Sequence, residues 1–233
     1  MKSRRVLVTG ASGFVGRHLV PYLAKNGFEV WAAARSPEEL AAGPGIVPAK
    51  LPDLSDQVVD WSGLVKGCDF VVHLAGIAHA DRDIPEARYQ AVNCDATGSL
   101  AVAARNAGVK RVVYVSSVRA QCGPVAEGSL SEANPPGPLD AYGRAKLAGE
   151  AAVSDALAGS DTDWVTLRPV LVYGPGVKGN MMQLSKLARL SLPLPLKSLR
   201  GRGSILSIDK IESGILDCLS ATGAGRKVVG VAD

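Results

Sequence analysis

Residues 6–19 read VLVTGASGFVGRHL: an apolar β-type run, Val6 to Val8, meets glycines at Gly10, Gly13 and Gly16, and a helical pattern opens at Phe14. A strand, a tight turn and a helix in that order place bare backbone N–H groups and the positive end of a helix where an anion can sit, as the pyrophosphate of a dinucleotide does. Gly10 permits the sharp turn, Gly13 lets the backbone approach phosphates, and Gly16 lets the helix pack close to the strand. The spacing is GxxGxxG, one residue longer than GxGxxG between the first two glycines. Many glycine turns bind nothing, but a strand before and a helix after this one point to dinucleotide binding. Ser12, Phe14 and Val15 complete the expected contacts of the turn.

Beyond the turn the chain alternates. Pro21 predicts a kink in the first helix, Gly27 a helix stop, and Glu29 to Ala33 a second strand. NAD-binding folds usually carry an Asp or Glu at the end of that strand to hold the ribose 2′-OH, and this chain has Ala34 and Arg35. A cation beside a small residue suits a 2′-phosphate, which favours NADP(H) with NAD(H) as the alternative; a solvated surface arginine is the bland reading. Ile46 to Lys50 predicts a third strand, closed by Pro52-Asp53-Leu54, with Asp53 at the carboxyl edge where an adenine amino group could be met. Phe70 to Leu74 is a fourth strand, apolar enough to be buried on both faces. Ala75, Gly76 and Ala78 then let the chain run close beneath a cofactor. Pro85 to Asn106 predicts a helix holding Tyr89 and Asn93, and Arg111 to Val115 a fifth strand ending in Ser116 and Ser117.

Strands alternating with helices predict an α/β fold, a Rossmann-type doubly wound parallel sheet whose ligands bind at the carboxyl ends of its strands. Gly10, Arg35, Asp53, Ala75 and Ser117 all fall at such ends. Gly123 to Pro138 is too proline-rich for a helix and has the length of a substrate-covering loop. Tyr142 and Lys146 follow, four residues apart and so on one helical face. A phenol is a poor base near neutrality, but a neighbouring ammonium and an oxidised nicotinamide both stabilise the phenolate. Tyr142 could then exchange a proton with a sugar hydroxyl or ketone, Lys146 hold the nicotinamide ribose, and Ser116 or Ser117 donate to the same oxygen.

Composition excludes several classes. Lys and Arg number 26 against 22 Asp and Glu with no basic tract, so nucleic acid is not an expected partner. No apolar run is long enough for a bilayer, and no membrane partner is expected. Cys68, Cys94, Cys122 and Cys218 are far apart, with no secretory pattern before Val6, which points to a reduced, cytoplasmic protein. His18, His73 and His79 lack metal-ligand spacing; His73 reads as a packed core residue, and no metal is expected.

Taken together, TGASGFVG, VVHLAG, YQAVNCDATGSL, RVVYVSS, AYGRAKLAGE and LRPVLVYGPGVKGN resemble the extended short-chain dehydrogenase/reductases, specifically the NAD(P)-dependent epimerase/dehydratase group acting on nucleotide sugars. The resemblance covers the whole chain and is nearest to the subgroup that makes bacterial surface polysaccharide precursors. It implies Tyr142 as acid/base, Lys146 as its partner and Ser117 as the third member. It also implies Asn93 as support for the site, Asp53-Leu54 as adenine-pocket lining, and Leu74, Ala75, Gly76 and Pro169 as cofactor neighbours. Asn180, Arg200 and Arg202 are the expected substrate contacts.

The resemblance implies a Rossmann domain over 1–172 and a small, partial substrate lobe over 173–233, with elements returning to the Rossmann domain. Three departures stand out. Cys122-Gly123 replaces a Tyr-Gly pair with one extra residue before it, which leaves Ser116 and Ser117 both open. Gly203 stands where an arginine often precedes the serine of a diphosphate-gripping strand. The chain also stops at Asp233, earlier than such relatives, with Val228 to Val231 resembling the start of a further strand; a truncated lobe would leave the cofactor site whole and the substrate site open. The expected activity is UDP-hexose 4-epimerase-like or 4-keto-sugar reductase; the alternative is a non-catalytic NADP-binding sensor or assembly subunit on the same fold. Such relatives commonly form homodimers through the helices carrying Asn93 and Tyr142, which predicts unusually apolar exposed faces there.

Overall fold

The computed structural model describes residues 4–78, 84–126, 128–177, 203–221, 225 and 227–233. The strands are β1 (Arg4–Thr9), β2 (Phe28–Ala34), β3 (Ile46–Lys50), β4 (Phe70–His73), β5 (Arg111–Val115), β6 (Asp163–Pro169), β7 (Leu171–Tyr173), β8 (Ile205–Ser207) and β9 (Lys227–Val231). Seven of them form one sheet in the order β3-β2-β1-β4-β5-β6-β9, every pair parallel. The chain winds outward from β1 to β3, then returns to β4 on the other side of β1. That reversal opens a crevice at the carboxyl ends of β1 and β4.

The helices are α1 (Phe14–Lys25), α2 (Ser62–Val65), α3 (Glu86–Gln90), α4 (Ala96–Asn106), α5 (Ala141–Leu157) and α6 (Ile208–Ser220). Strand alternation sorts the core into two layers. Leu7, Val71, Val112 and Tyr114 face Trp61, Leu100 of α4 and Val153 and Leu157 of α5. Val6, Val8, Val72 and Val113 face Leu19 and Leu23 of α1 and Ile211 and Ile215 of α6. The doubly wound sheet expected from the alternation of elements is therefore present. Its third and fifth strands have the expected bounds. α1 runs on through Pro21.

Two elements differ from expectation. The helix read over residues 85–106 contains one π turn, Ala91–Asp95, between α3 and α4. The apolar run VVGV lies in β9, which pairs with β6, and α6 packs beside α1, so both belong to the main sheet and its core. β7 and β8 form a separate two-stranded parallel sheet.

Helices α4 and α5 pack against each other, tied by an Arg105 guanidinium bond to the Ala156 carbonyl at 2.8 Å. Their exposed faces are not unusually apolar: Val102 is exposed, but so are Arg105, Arg144 and Asp155. Inside, α5 approaches the π turn so closely that a Cβ on Gly149 would stand 2.4 Å from the Asn93 carbonyl oxygen and 2.7 Å from the Tyr114 hydroxyl. Gly149→Ala should lower stability by about 1–3 kcal/mol through overpacking, despite alanine's better helix propensity. A denaturant midpoint equal to wild type would show that the helices can separate freely.

Candidate active site

The turn between β1 and α1 is held by backbone contacts that leave no room for side chains. Gly10 has φ +71°, and a Cβ there would lie 2.7 Å from the Ala75 nitrogen at the exit of β4. A Cβ on Gly16 would lie 2.3 Å from the Gly10 carbonyl oxygen. Gly16 thus packs on the turn itself, at Gly10 and Ala11, and not on the strand as the glycine spacing led us to expect. Gly13 is exposed and stands at the N-cap of α1 without a side-chain cap, and the first turn of α1 carries no acidic residue. An exposed helix N-terminus with uncapped donors and no competing carboxylate fits a dinucleotide pyrophosphate. Ser12 is exposed beside it, and Phe14 and Val15 are half-buried on the first turn.

Beneath the turn runs a buried polar chain. The Thr97 hydroxyl donates to the Asn93 carbonyl at 3.0 Å, so its oxygen accepts from His73 Nε2 at 3.1 Å. His73 Nδ1 is then an acceptor for the Thr9 hydroxyl at 2.7 Å, and the Thr9 oxygen accepts the Ala75 N–H at 3.2 Å. Every donor finds an acceptor only if His73 is neutral with its proton on Nε2. Burial, with the Lys146 charge nearby, pushes the His73 pKa down to about 3. His73 is a core residue, stacked on Tyr114 with ring centroids 5.7 Å apart. Asn93, within the π turn, uses its side-chain amide on both backbone groups of Ile77, accepting at 2.8 Å and donating at 3.1 Å. This pins the segment Leu74, Ala75, Gly76 that leaves β4.

At the other side of β1, Arg35 is exposed just past β2, and the Lys50 ammonium donates to its carbonyl. Asp53 Oδ1 accepts from the Ser55 N–H at 2.9 Å and the Ser55 hydroxyl at 2.7 Å, and these bonds hold its carboxyl below the usual range, with Arg88 and Arg35 adding to the effect. Arg35 and Asp53 therefore share one sheet edge. Leu54 is buried in the core.

The Ser-Tyr-Lys group lies at the carboxyl end of β5. Ser116 is buried and donates to Glu150 at 2.5 Å; Glu150 in turn takes Arg168 Nε and Nη2 at 2.9 and 2.5 Å. Ser117 instead hydrogen-bonds Tyr142 and accepts the Arg119 N–H at 3.1 Å. Tyr89 from α3 meets the Tyr142 ring edge-on at 6.3 Å. Burial raises the Tyr142 pKa, opposed by the Ser117 hydrogen bond and by the charge of Arg119. Lys146 is 4% exposed, donates to the Val115 carbonyl at 3.0 Å and lies 4.8 Å over the Tyr114 ring. Burial pulls its pKa down to about 8, with Glu150 pulling the other way. The ammonium expected to act on Tyr142 is thus committed elsewhere, and the cation that acts on it is Arg119. Pro169 is buried at the end of β6. Asn180, Arg200 and Arg202 lie outside the described residues. Among the described residues, no cluster of three His, Cys, Asp or Glu could hold a metal, and no helix is long and apolar enough to cross a membrane.

A family model, NAD dependent epimerase/dehydratase family, matches residues 6–194. The chain belongs to this family. It is 32% identical to a UDP-glucose 4-epimerase of Vibrio cholerae over 241 residues, covering 99% of this chain and 71% of that protein. It is also 32% identical to a ceramide reductase of Caulobacter vibrioides over 212 residues, covering 88% of this chain and 57% of that one. Among solved structures, MoeE5 in complex with UDP-glucuronic acid and NAD aligns with a TM-score of 0.82 at 30% identity, over 98% of this chain and 76% of the other.

Glu150, Arg168, Arg119 and the Thr9–His73–Thr97 chain were not singled out as site residues from the sequence. The Lys146-to-Glu150 spacing of one helical turn, in KLAGE, was the available sign for the first of them. His73 also sets a pH dependence for this family member. Its folded pKa lies below the unfolded value of about 6.5, so its contribution is complete above that value and is lost as pH falls towards 3. Between pH of about 4 and 6, His73→Gln should reduce the slope of stability against pH by about 1.4 kcal/mol per unit. Urea unfolding across that range reads the slope, and identical slopes would mean that His73 is protonated in the folded protein.

Proposed function

We propose that the protein is a nucleotide-sugar epimerase or 4-keto-sugar reductase in which Tyr142 is the acid/base, Ser117 shares the substrate oxygen and Lys146 holds the nicotinamide ribose. The observation that carries this reading is the Ser117–Tyr142 hydrogen bond, on the same sheet edge as the uncapped Gly13 turn. The UDP-glucose 4-epimerase and the UDP-glucuronic acid complex among the proteins it resembles support the substrate class. A bound nicotinamide cofactor supplies hydride transfer to and from the sugar carbon.

The chain's own groups handle the proton. With its pKa raised, Tyr142 rests as a phenol and is set to donate to a ketone oxygen. Acting as base requires a positive field when substrate and cofactor are in place. Ser117 keeps the phenol in register; Ser116, turned to Glu150, braces the strand end. Asn93 holds the floor of the site through Ile77. Asp53 and Leu54 are assigned to the adenine end, and Asn180, Arg200 and Arg202 to the sugar nucleotide.

Loaded with dinucleotide, the protein should interconvert or reduce members of a UDP-hexose and UDP-hexuronate panel, read by chromatography of the nucleotide sugars. Tyr142→Phe should cut kcat by about 10²–10⁴-fold while dinucleotide affinity stays unchanged. Full turnover by that variant would remove Tyr142 from the chemistry.

For the dinucleotide, Arg35 and the neighbouring Lys50 favour NADP, whose 2′-phosphate would accept charge-assisted hydrogen bonds at the end of β2. NAD occupies the MoeE5 complex. Calorimetric titration of both dinucleotides decides between them. Arg35→Ala should weaken NADP by about tenfold or more, the loss of one charge-assisted bond, and leave NAD unaffected. Wild-type protein that binds NAD more tightly than NADP would overturn the preference.

A further inference from the structure

Arg119 sits in the short 3₁₀ turn Val118–Ala120 that follows Ser117, and its place is fixed from three sides. Its backbone N–H donates to the Ser117 hydroxyl at 3.1 Å. Its guanidinium pairs with Asp140 through Nη2. Asp140 is the N-cap of α5, its other oxygen accepting the Gly143 N–H at 2.6 Å. The third side is backbone contact: a Cβ on Gly143 would stand 2.3 Å from the Arg119 carbonyl oxygen. Turn and helix start are thus one rigid unit, with Tyr142 inside it, between Asp140 and Gly143. The Arg119 Nε is buried and has no hydrogen-bond partner among the described residues. No backbone requirement accounts for a guanidinium here.

The charged and titratable groups around Tyr142 are few. Tyr89 comes from α3, Arg119 and Asp140 from the turn and the cap, and Lys146 from one helical turn along. Arg144 is paired with Glu86 at 2.8 Å on the exposed side of the helix. Lys146 is engaged by the Val115 carbonyl, the Tyr114 ring and the field of Glu150. Of the cations, Arg119 is the one whose charge acts on Tyr142.

We propose that Arg119 is a positioning residue of the acid/base centre: locked by Asp140 at the mouth of α5, it supplies the positive charge that steadies the Tyr142 phenolate when the phenol gives up its proton. This role rests on the reading of Tyr142 as acid/base. Asp140 fixes the arginine's place while neutralising part of its field, so the residual effect on Tyr142 is a bias and not a full ion pair.

The test reads Tyr142 directly and requires no substrate. Tyrosinate absorbance of the dinucleotide-bound protein is titrated against pH, with the same protein carrying Y142F subtracted to isolate Tyr142. The neutral variants R119Q and R119M should each raise the Tyr142 titration by about one pH unit, the lower end of the effect of an adjacent opposite charge. R119K should leave it near the wild-type position. An unmoved Tyr142 in both neutral variants overturns the proposal, as does R119K shifting as far as R119Q. Neutral variants that fail to fold where R119K folds would also overturn it, because the charge would then serve the structure. Should the acid/base reading itself be wrong, Y142F would turn over normally while the titration shift persisted, which separates the two failures.

Discussion

The turn after β1 touches the exit of β4 through bare backbone, and the active edge depends on that contact. Gly10 lies so close to Ala75 that no side chain fits between them, and the Thr9 hydroxyl bridges the Ala75 N–H to His73. One hydroxyl thereby joins the phosphate-side turn, the floor of the crevice and the imidazole. From His73 the chain continues through Thr97 to the Asn93 carbonyl, and the Asn93 amide reaches back to Ile77. The loop closes on itself. A buried network of this kind is stabilising only when each member is satisfied, because an unpaired polar group in a low-dielectric interior costs more than the bond it would replace.

A second polar assembly braces the catalytic edge. Glu150 and Arg168 are both nearly dry, and burying two charges is costly. Two-point contact between guanidinium and carboxylate offsets that cost, with Ser116 donating to Glu150 and Gln121 accepting from Arg168. Gln121 also donates to the Asn134 carbonyl at 2.6 Å, so the pair is wired to the proline-rich loop. The division of labour between two adjacent serines follows: Ser116 belongs to this brace, and Ser117 is left facing Tyr142. Lys146 sits between the two assemblies, its ammonium on the Val115 carbonyl and Glu150 one turn further along the helix.

Much of this was legible in residue order. The alternation of apolar runs with helical patterns, and the glycines of TGASGFVG, dictate a parallel doubly wound sheet because strands buried on both faces need helices to cover them. Tyr142 and Lys146 were readable as a pair from their spacing alone, since a helix places residues four apart on one face. The role of Gly16 was misread in detail: its close partner is the turn, not the strand, and a spacing rule carries no distance between elements. The π turn at Asn93 left no mark in the sequence. It arises where α5, at Gly149, presses on the Asn93 carbonyl, a contact between segments far apart in the chain.

The sequence by itself determined the strand order's raw material, the anion-binding turn and the identity of the acid/base pair, because each rests on local geometry within a few residues. Tertiary structure alone decided which serine faces Tyr142, which cation acts on it, and which nitrogen of His73 carries the proton. Those outcomes are set by which strand ends and helix starts lie side by side, and no local periodicity encodes that adjacency. Hydrogen-bond direction and charge proximity are properties of the packed chain.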